Sequence, residues 1–81
     1  MAVVLINVHL RNEILDPQGR AVLGAIGRFG LDEVNDVRQG KQFKLTIEGE
    51  LSSAKMAEIN QIAEKLLSNP VIEDFSVEVV K

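Results

Sequence analysis

Val4, Ile6, Val8 and Leu10 alternate with Leu5, Asn7, His9 and Arg11. A period of two carried by β-branched residues predicts a strand whose even positions face a core. The period then changes. Val22, Leu23, Ala25, Ile26 and Phe29 fall in one stripe at about 100° per residue, which predicts an amphipathic helix over residues 17–29. Asp16 is placed to cap that helix, because its carboxylate can accept free backbone N–H groups. Pro17 suits the first helical position, where a missing N–H costs nothing. Gly30 is placed to stop the helix in the left-handed conformation. Gly19, Gly24 and Gly27 interrupt it. An interior glycine costs a helix about 1 kcal/mol relative to alanine. Gly24 and Gly27 lie with Arg20 on the side away from the apolar stripe, where a bare face permits close approach of another backbone.

Val34 and Val37 are three apart, so residues 31–37 predict only an irregular or bulged edge strand. Arg38-Gln39-Gly40-Lys41 follows, with Gly40 expected to supply positive φ for a tight turn. The alternative is one long strand bent at Gly40. Phe43, Leu45 and Ile47 then alternate with polar residues up to Gly49, the clearest half-buried strand in the chain. Ser52 or Ser53 is expected to cap a second helix. Its stripe is Met56, Ile59, Ile62, Ala63, Leu66 and Leu67. It should end near Ser68, because Asn69 precedes Pro70 and that position disfavours helix. Residues 71–80 form the last predicted strand, with Val71, Phe75, Val77 and Val79 on one face. Glu73 sits among these core-facing positions and is expected at a frayed start.

The predicted order is β-α-β-β-α-β. In 81 residues this is a single α+β domain of ferredoxin-like type, an antiparallel sheet with two helices on one face. The other face carries Val3, Leu5, Ile72 and Val80 among polar residues. A patch too apolar for free solvent marks subunit contact, so self-association through the sheet is expected.

Composition narrows the function. The formal net charge is −3, with no basic cluster to neutralise phosphates, so nucleic acid is not an expected partner. The chain has no cysteine, hence no disulfide framework and no thiolate metal site. The first apolar run is too short to span a membrane and lacks a basic leader. A cytoplasmic location without membrane contact is expected.

Candidate chemistry is sparse. His9 is the only histidine, and no spacing of metal ligands accompanies it. Glu73 and Asp74 would point to opposite faces of a strand and cannot act as a carboxylate pair. Gly24 to Gly27 lies within a helix, outside the context of a phosphate-cradling loop. No catalytic, cofactor or metal site is expected. Two other functions use this architecture. An acylphosphatase-like enzyme needs an anion-cradling loop after the first strand, where Arg11-Asn12-Glu13 offers one cation and no glycine-rich nest. A small-ligand regulatory domain is the other.

Three stretches carry a resemblance. Ile14-Leu15-Asp16-Pro17-Gln18-Gly19 followed by Ala21-Val22, then Val37-Arg38-Gln39-Gly40-Lys41, then Leu66-Leu67-Ser68-Asn69-Pro70-Val71-Ile72-Glu73-Asp74-Phe75, resemble the PurS family in order and over essentially the whole chain. Ser68 stands where alanine is common in that family, and Phe75 where tyrosine or tryptophan is frequent. The resemblance implies the small, non-catalytic subunit of bacterial phosphoribosylformylglycinamidine synthase, a ligase complex of purine biosynthesis. That complex uses ATP and glutamine to convert formylglycinamide ribonucleotide to the amidine. It also implies a homodimer, with tetramers left open, that bridges a large synthetase subunit and a glutaminase subunit and binds no cofactor of its own. The expected subunit contacts are Asp16, Pro17, Gln18 and Gly19 at the helix start, Gly24 and Gly27 on the bare face, and Arg38, Gln39, Gly40 and Lys41 at the turn. Asn69, Pro70, Glu73 and Asp74 before the last strand complete them. Local roles suffice for Asp16, Pro17 and Gly40, whereas no backbone demand is evident for Arg38, Gln39 and Lys41.

Overall fold

A computed structural model describes residues 1–80. The first alternating run forms β1 (Ala2–Leu10), the central strand of a three-stranded sheet. β2 (Gly40–Ile47) pairs antiparallel along one edge, from Ala2 opposite Ile47 to His9 opposite Gly40. β3 (Glu73–Val79) pairs antiparallel along the other, from Val4 opposite Val79 to Leu10 opposite Glu73. The strand order is β2-β1-β3. Two helices, α1 (Pro17–Arg28) and α2 (Ser53–Ile62), occupy the connections.

The core is the even face of β1. Val4, Ile6 and Val8 are buried against Ile59 and Ala63 of the α2 region. Phe43, Leu45, Ile47, Met56, Leu67, Phe75 and Val77 pack around them. Ser52 caps α2 by accepting from the Lys55 N–H at 3.1 Å. Past Ile62 the helix widens into a π turn over Ala63–Leu67. The Ser68 hydroxyl donates to the Ala63 carbonyl at 2.7 Å, satisfying an oxygen that the ended helix leaves free. The wider turn keeps Ile59, Ala63 and Leu67 in line above β1. It turns Leu66 out to solvent (75% exposed), so the apolar stripe is narrower than periodicity predicts.

Residues 31–39 are not a strand. The expected second strand is missing, so the antiparallel α+β arrangement stands one edge strand short of β-α-β-β-α-β. The apolar positions three apart cannot share a face. Asp36 accepts from the Val37 N–H at 3.0 Å, a local bond that competes with ladder pairing. Nor is Gly40 a turn glycine. Among the described residues only Gly30 (φ 98°) and Gly49 (φ 81°) have positive φ. Gly40 begins β2 opposite His9, and a Cβ there would lie 2.7 Å from the Val8 carbonyl oxygen. Close approach, rather than a turn, requires the glycine. Between hairpin and bent strand, the outcome is neither: one strand starts at Gly40.

α1 begins and ends as its sequence dictates. Gly30 donates to the Gly27 carbonyl at 3.0 Å and Leu31 to the Ile26 carbonyl at 3.4 Å, closing the helix with a left-handed glycine. Its packing is not the expected one. The only buried residue of α1 is Gly19, and none of its side chains joins the core. Phe29 is 92% exposed. The helix and residues 31–39 form an arm that stands off the sheet. The radius of gyration is accordingly 16.0 Å, against about 12 Å for a compact chain of this length.

Candidate functional site

The three stretches carrying the resemblance meet at one end of the sheet, around the last residues of β1. Asp16 organises them. Its carboxylate accepts from the Gly19 N–H at 2.9 Å, as a helix cap should. It also accepts from the Gln39 N–H at 2.6 Å. One buried side chain therefore clamps the start of the arm to its return, and Asp16 cannot be reduced to a cap. The Gln39 amide group donates to the Gln18 side chain at 2.7 Å. Arg38 donates to the carbonyls of Arg11 (2.9 Å) and Ile14 (2.8 Å). Arg38 and Gln39 thus have internal partners that sequence reasoning did not foresee. Gly19 is closely covered: a Cβ there would collide with the Val37 carbonyl oxygen.

The third stretch joins through Arg11, a residue absent from the expected set. Arg11 donates to the Pro70 carbonyl, and its Nε lies 3.6 Å from the Asp74 carboxylate. Its backbone N–H donates to the Ile72 carbonyl at 2.8 Å. Asn69 folds the turn before β3 with its carbonyl and side chain, while its own N–H donates to Glu73 at 2.7 Å. Glu73 therefore heads β3 rather than fraying. The Lys41 ammonium sits 3.7 Å from Glu73 and 5.9 Å from the Phe43 ring centroid. Only the β1–β3 register, Leu10 opposite Glu73 and His9 opposite Asp74, brings Arg11 to this cluster. No local sequence signal encodes that register. With Arg11 engaged by Asp74 and Pro70, the loop after β1 is not built as an anion cradle.

What remains outward is a polar surface over a depression of about 250 Å³, lined by His9, Gln18, Gln39, Lys41 and Glu73. Among the described residues no group of His, Asp and Glu is gathered to hold a metal ion. Gly24 and Gly27 lie apart from the cluster, and within this chain no backbone approaches them.

The Asp16 carboxyl is held below its ordinary value of 3.8. The Gln39 N–H is the main cause, followed by the Gly19 N–H, with the Arg38 charge adding and burial opposing. A lowered folded pKa stabilises the native state above the unfolded value and loses that contribution as pH falls through the folded one. Asp16→Asn should therefore be less stable than the parent at neutral pH. The gap should close as pH drops below 3.8, as read by urea denaturation at stepped pH. A gap independent of pH would contradict the clamp.

The chain matches the family model described as PurS, phosphoribosylformylglycinamidine (FGAM) synthase, over residues 3–81. It is 49% identical over 77 residues to the phosphoribosylformylglycinamidine synthase subunit PurS of Mycobacterium leprae, covering 95% of this chain and 94% of that protein. Among solved structures it resembles Bacillus subtilis PurS with a TM-score of 0.85 and 42% identity, covering 100% of both chains. It also resembles a chain of the structure of PurLQS from Thermotoga maritima with a TM-score of 0.86 and 26% identity, covering 98% of this chain and 96% of that one.

Proposed function

The chain belongs to the PurS family, and on that premise we propose that it serves as the small subunit of phosphoribosylformylglycinamidine synthase in purine biosynthesis. It bridges the synthetase and glutaminase subunits while contributing no catalytic group. The observation that carries this reading is the whole-chain likeness to a component of the PurLQS assembly. The complex converts formylglycinamide ribonucleotide, glutamine and ATP to the amidine, glutamate, ADP and phosphate. ATP and glutamine belong to the partner subunits, and this chain holds no cofactor.

Its task is to keep two distant sites in register. Glutamine hydrolysis yields ammonia, which is a nucleophile only while unprotonated. Excluding water between the sites prevents both its protonation and its escape. A rigid clamp suits that task better than a mobile loop, and the Asp16 cluster supplies one. Gln18, Gln39, Lys41 and Glu73 at the depression, with Asn69, Pro70 and Asp74 beside it, form the surface offered to a partner subunit. The bare face of Gly24 and Gly27 is a second. Among the described residues no helix is long and apolar enough to cross a membrane, and we place the chain in the cytoplasm with the rest of its pathway.

Cosedimentation tests the bridging role. The purified synthetase and glutaminase should sediment together when this chain is added and separately without it. Stable pairing of those two subunits alone would overturn the reading.

A further inference from the structure

Residues 11–19 and 69–74 contribute nothing to the hydrophobic core, yet both segments are densely hydrogen-bonded. Each turns an apolar side chain to solvent: Leu15 and Val71 are both 78% exposed. The bonds here hold a surface in shape.

One residue carries the link between the two segments. The Arg11 backbone N–H donates to the Ile72 carbonyl at 2.8 Å, and the Arg11 carbonyl accepts from the Ile14 N–H at 2.9 Å. Its guanidinium donates to the Pro70 carbonyl. Its Nε, buried without a hydrogen-bond partner, lies 3.6 Å from the Asp74 carboxylate. Arg38 donates to the carbonyls of Arg11 and Ile14, and the next residue, Gln39, donates to Asp16. The path from Asp74 to the start of α1 thus runs through Arg11 and Arg38. A second link is the pair of Lys41 and Glu73 at 3.7 Å, whose lysine side chain is 52% exposed. A long, half-exposed ion pair contributes little. A planar guanidinium holds direction as well as distance.

We infer that Arg11 is a positioning residue for ammonia transfer: it makes the helix start and the turn before β3 one rigid body, so that both segments meet the partner subunits at a fixed spacing. The inference rests on the reading of this chain as the bridging subunit, and it names the side chain that sets the geometry of the bridge. Glutamine hydrolysis yields glutamate and ammonia in equal amounts. Ammonia that leaks to water takes up a proton and is lost as ammonium. A misplacement of about 1 Å far from the chemistry can cost on the order of a hundredfold in rate. A slack bridge therefore consumes glutamine without forming amidine.

The reconstituted complex of synthetase, glutaminase and this chain tests the role, with glutamate release and amidine formation measured together. The parent should release one glutamate for each amidine formed. Arg11→Ala should still cosediment with both subunits but raise that ratio at least about twofold. Arg11→Lys should give a smaller rise, because an ammonium lacks the guanidinium's fixed fork of donors. Ile59→Val weakens the buried core without touching the link and should leave the ratio at one. A ratio of one with Arg11→Ala in an assembled complex would overturn the inference, as would an equal rise with Ile59→Val or loss of cosedimentation. Glutamine-dependent activity that needs no parent chain would overturn the bridging reading itself. Hydrogen exchange on the isolated chain gives the second readout. Arg11→Ala should quicken exchange at Ile72 and Glu73, whose N–H groups donate to the Asn69 carbonyl, and also at Gln39. Exchange quickened on the turn alone would overturn the link, as would loss of all protection through unfolding.

Discussion

Ile6→Ala should cost about 2–5 kcal/mol of unfolding free energy, the largest loss of any single substitution proposed here. Ile6 is fully buried (0% exposed) at the centre of β1. It sits opposite Phe43 on one side and Val77 on the other. Ile59 and Ala63 close the site from above. Strand and helix are held apart by the neighbouring Val4 and Val8, so the space left by the deleted carbons cannot collapse. The loss then includes a cavity term as well as transfer. A domain of this length has about 4–12 kcal/mol in all, at roughly 0.05–0.15 kcal/mol per residue. The variant should therefore lose a large share of that total. Urea denaturation monitored by circular dichroism reads the effect. A loss under about 0.5 kcal/mol, typical of a surface site, would contradict the packing described.

Gly19→Ala should be the second most damaging change, at about 1–3 kcal/mol. The added methyl would meet the Val37 carbonyl, a backbone atom that cannot swing aside as a long side chain can. Relief requires the arm's returning segment to move outward, and that movement stretches the bond from the Gln39 N–H to Asp16. Hydrogen exchange at Gln39 should quicken along with the loss of stability. Gly27→Ala is the contrast within the same helix. Nothing lies within 4 Å of a Cβ there, so better helix propensity should raise stability by about 0.5–1 kcal/mol. Equal effects at Gly19 and Gly27 would show that propensity alone governs both and that the arm root is not tightly closed.

The features legible in the sequence are those that local chemistry dictates. Asp16 before Pro17, Gly30 after the last apolar position and Ser52 before a helical stripe mark their boundaries whatever the rest of the chain does. The alternation of β1 and β2 likewise assigns each side chain to a face. The helix stripe Val22, Ile26 and Phe29 was legible as a surface seeking burial, but a period says nothing about which chain supplies the cover. For that reason α1 was expected on its own sheet and stands off it instead. Gly40 carried a similar ambiguity. Glycine serves turns and close approaches alike, and only the β1–β2 register shows that the Val8 carbonyl is the cause.

At the candidate site, Asp16 was expected as a cap, but its second bond depends on residue 39 returning beside residue 16. Arg38 pointed towards a partner because no local demand explained it. Its partners are two carbonyls before the helix, far away in sequence. The cluster was readable as wording across three separated stretches and unreadable as geometry, because long-range register brings those stretches together. The widened turn at Ala63–Leu67 has no signature in the sequence. It sends Leu66 to solvent despite a periodic position.

The central claim is that this chain joins two catalytic subunits and performs no chemistry itself. Glutamine-dependent amidine formation by purified synthetase and glutaminase, assayed with and without this chain, tests it most directly. Activity should depend on adding the chain, while synthesis from free ammonia by the synthetase should not. Full glutamine-dependent activity without it would contradict the account.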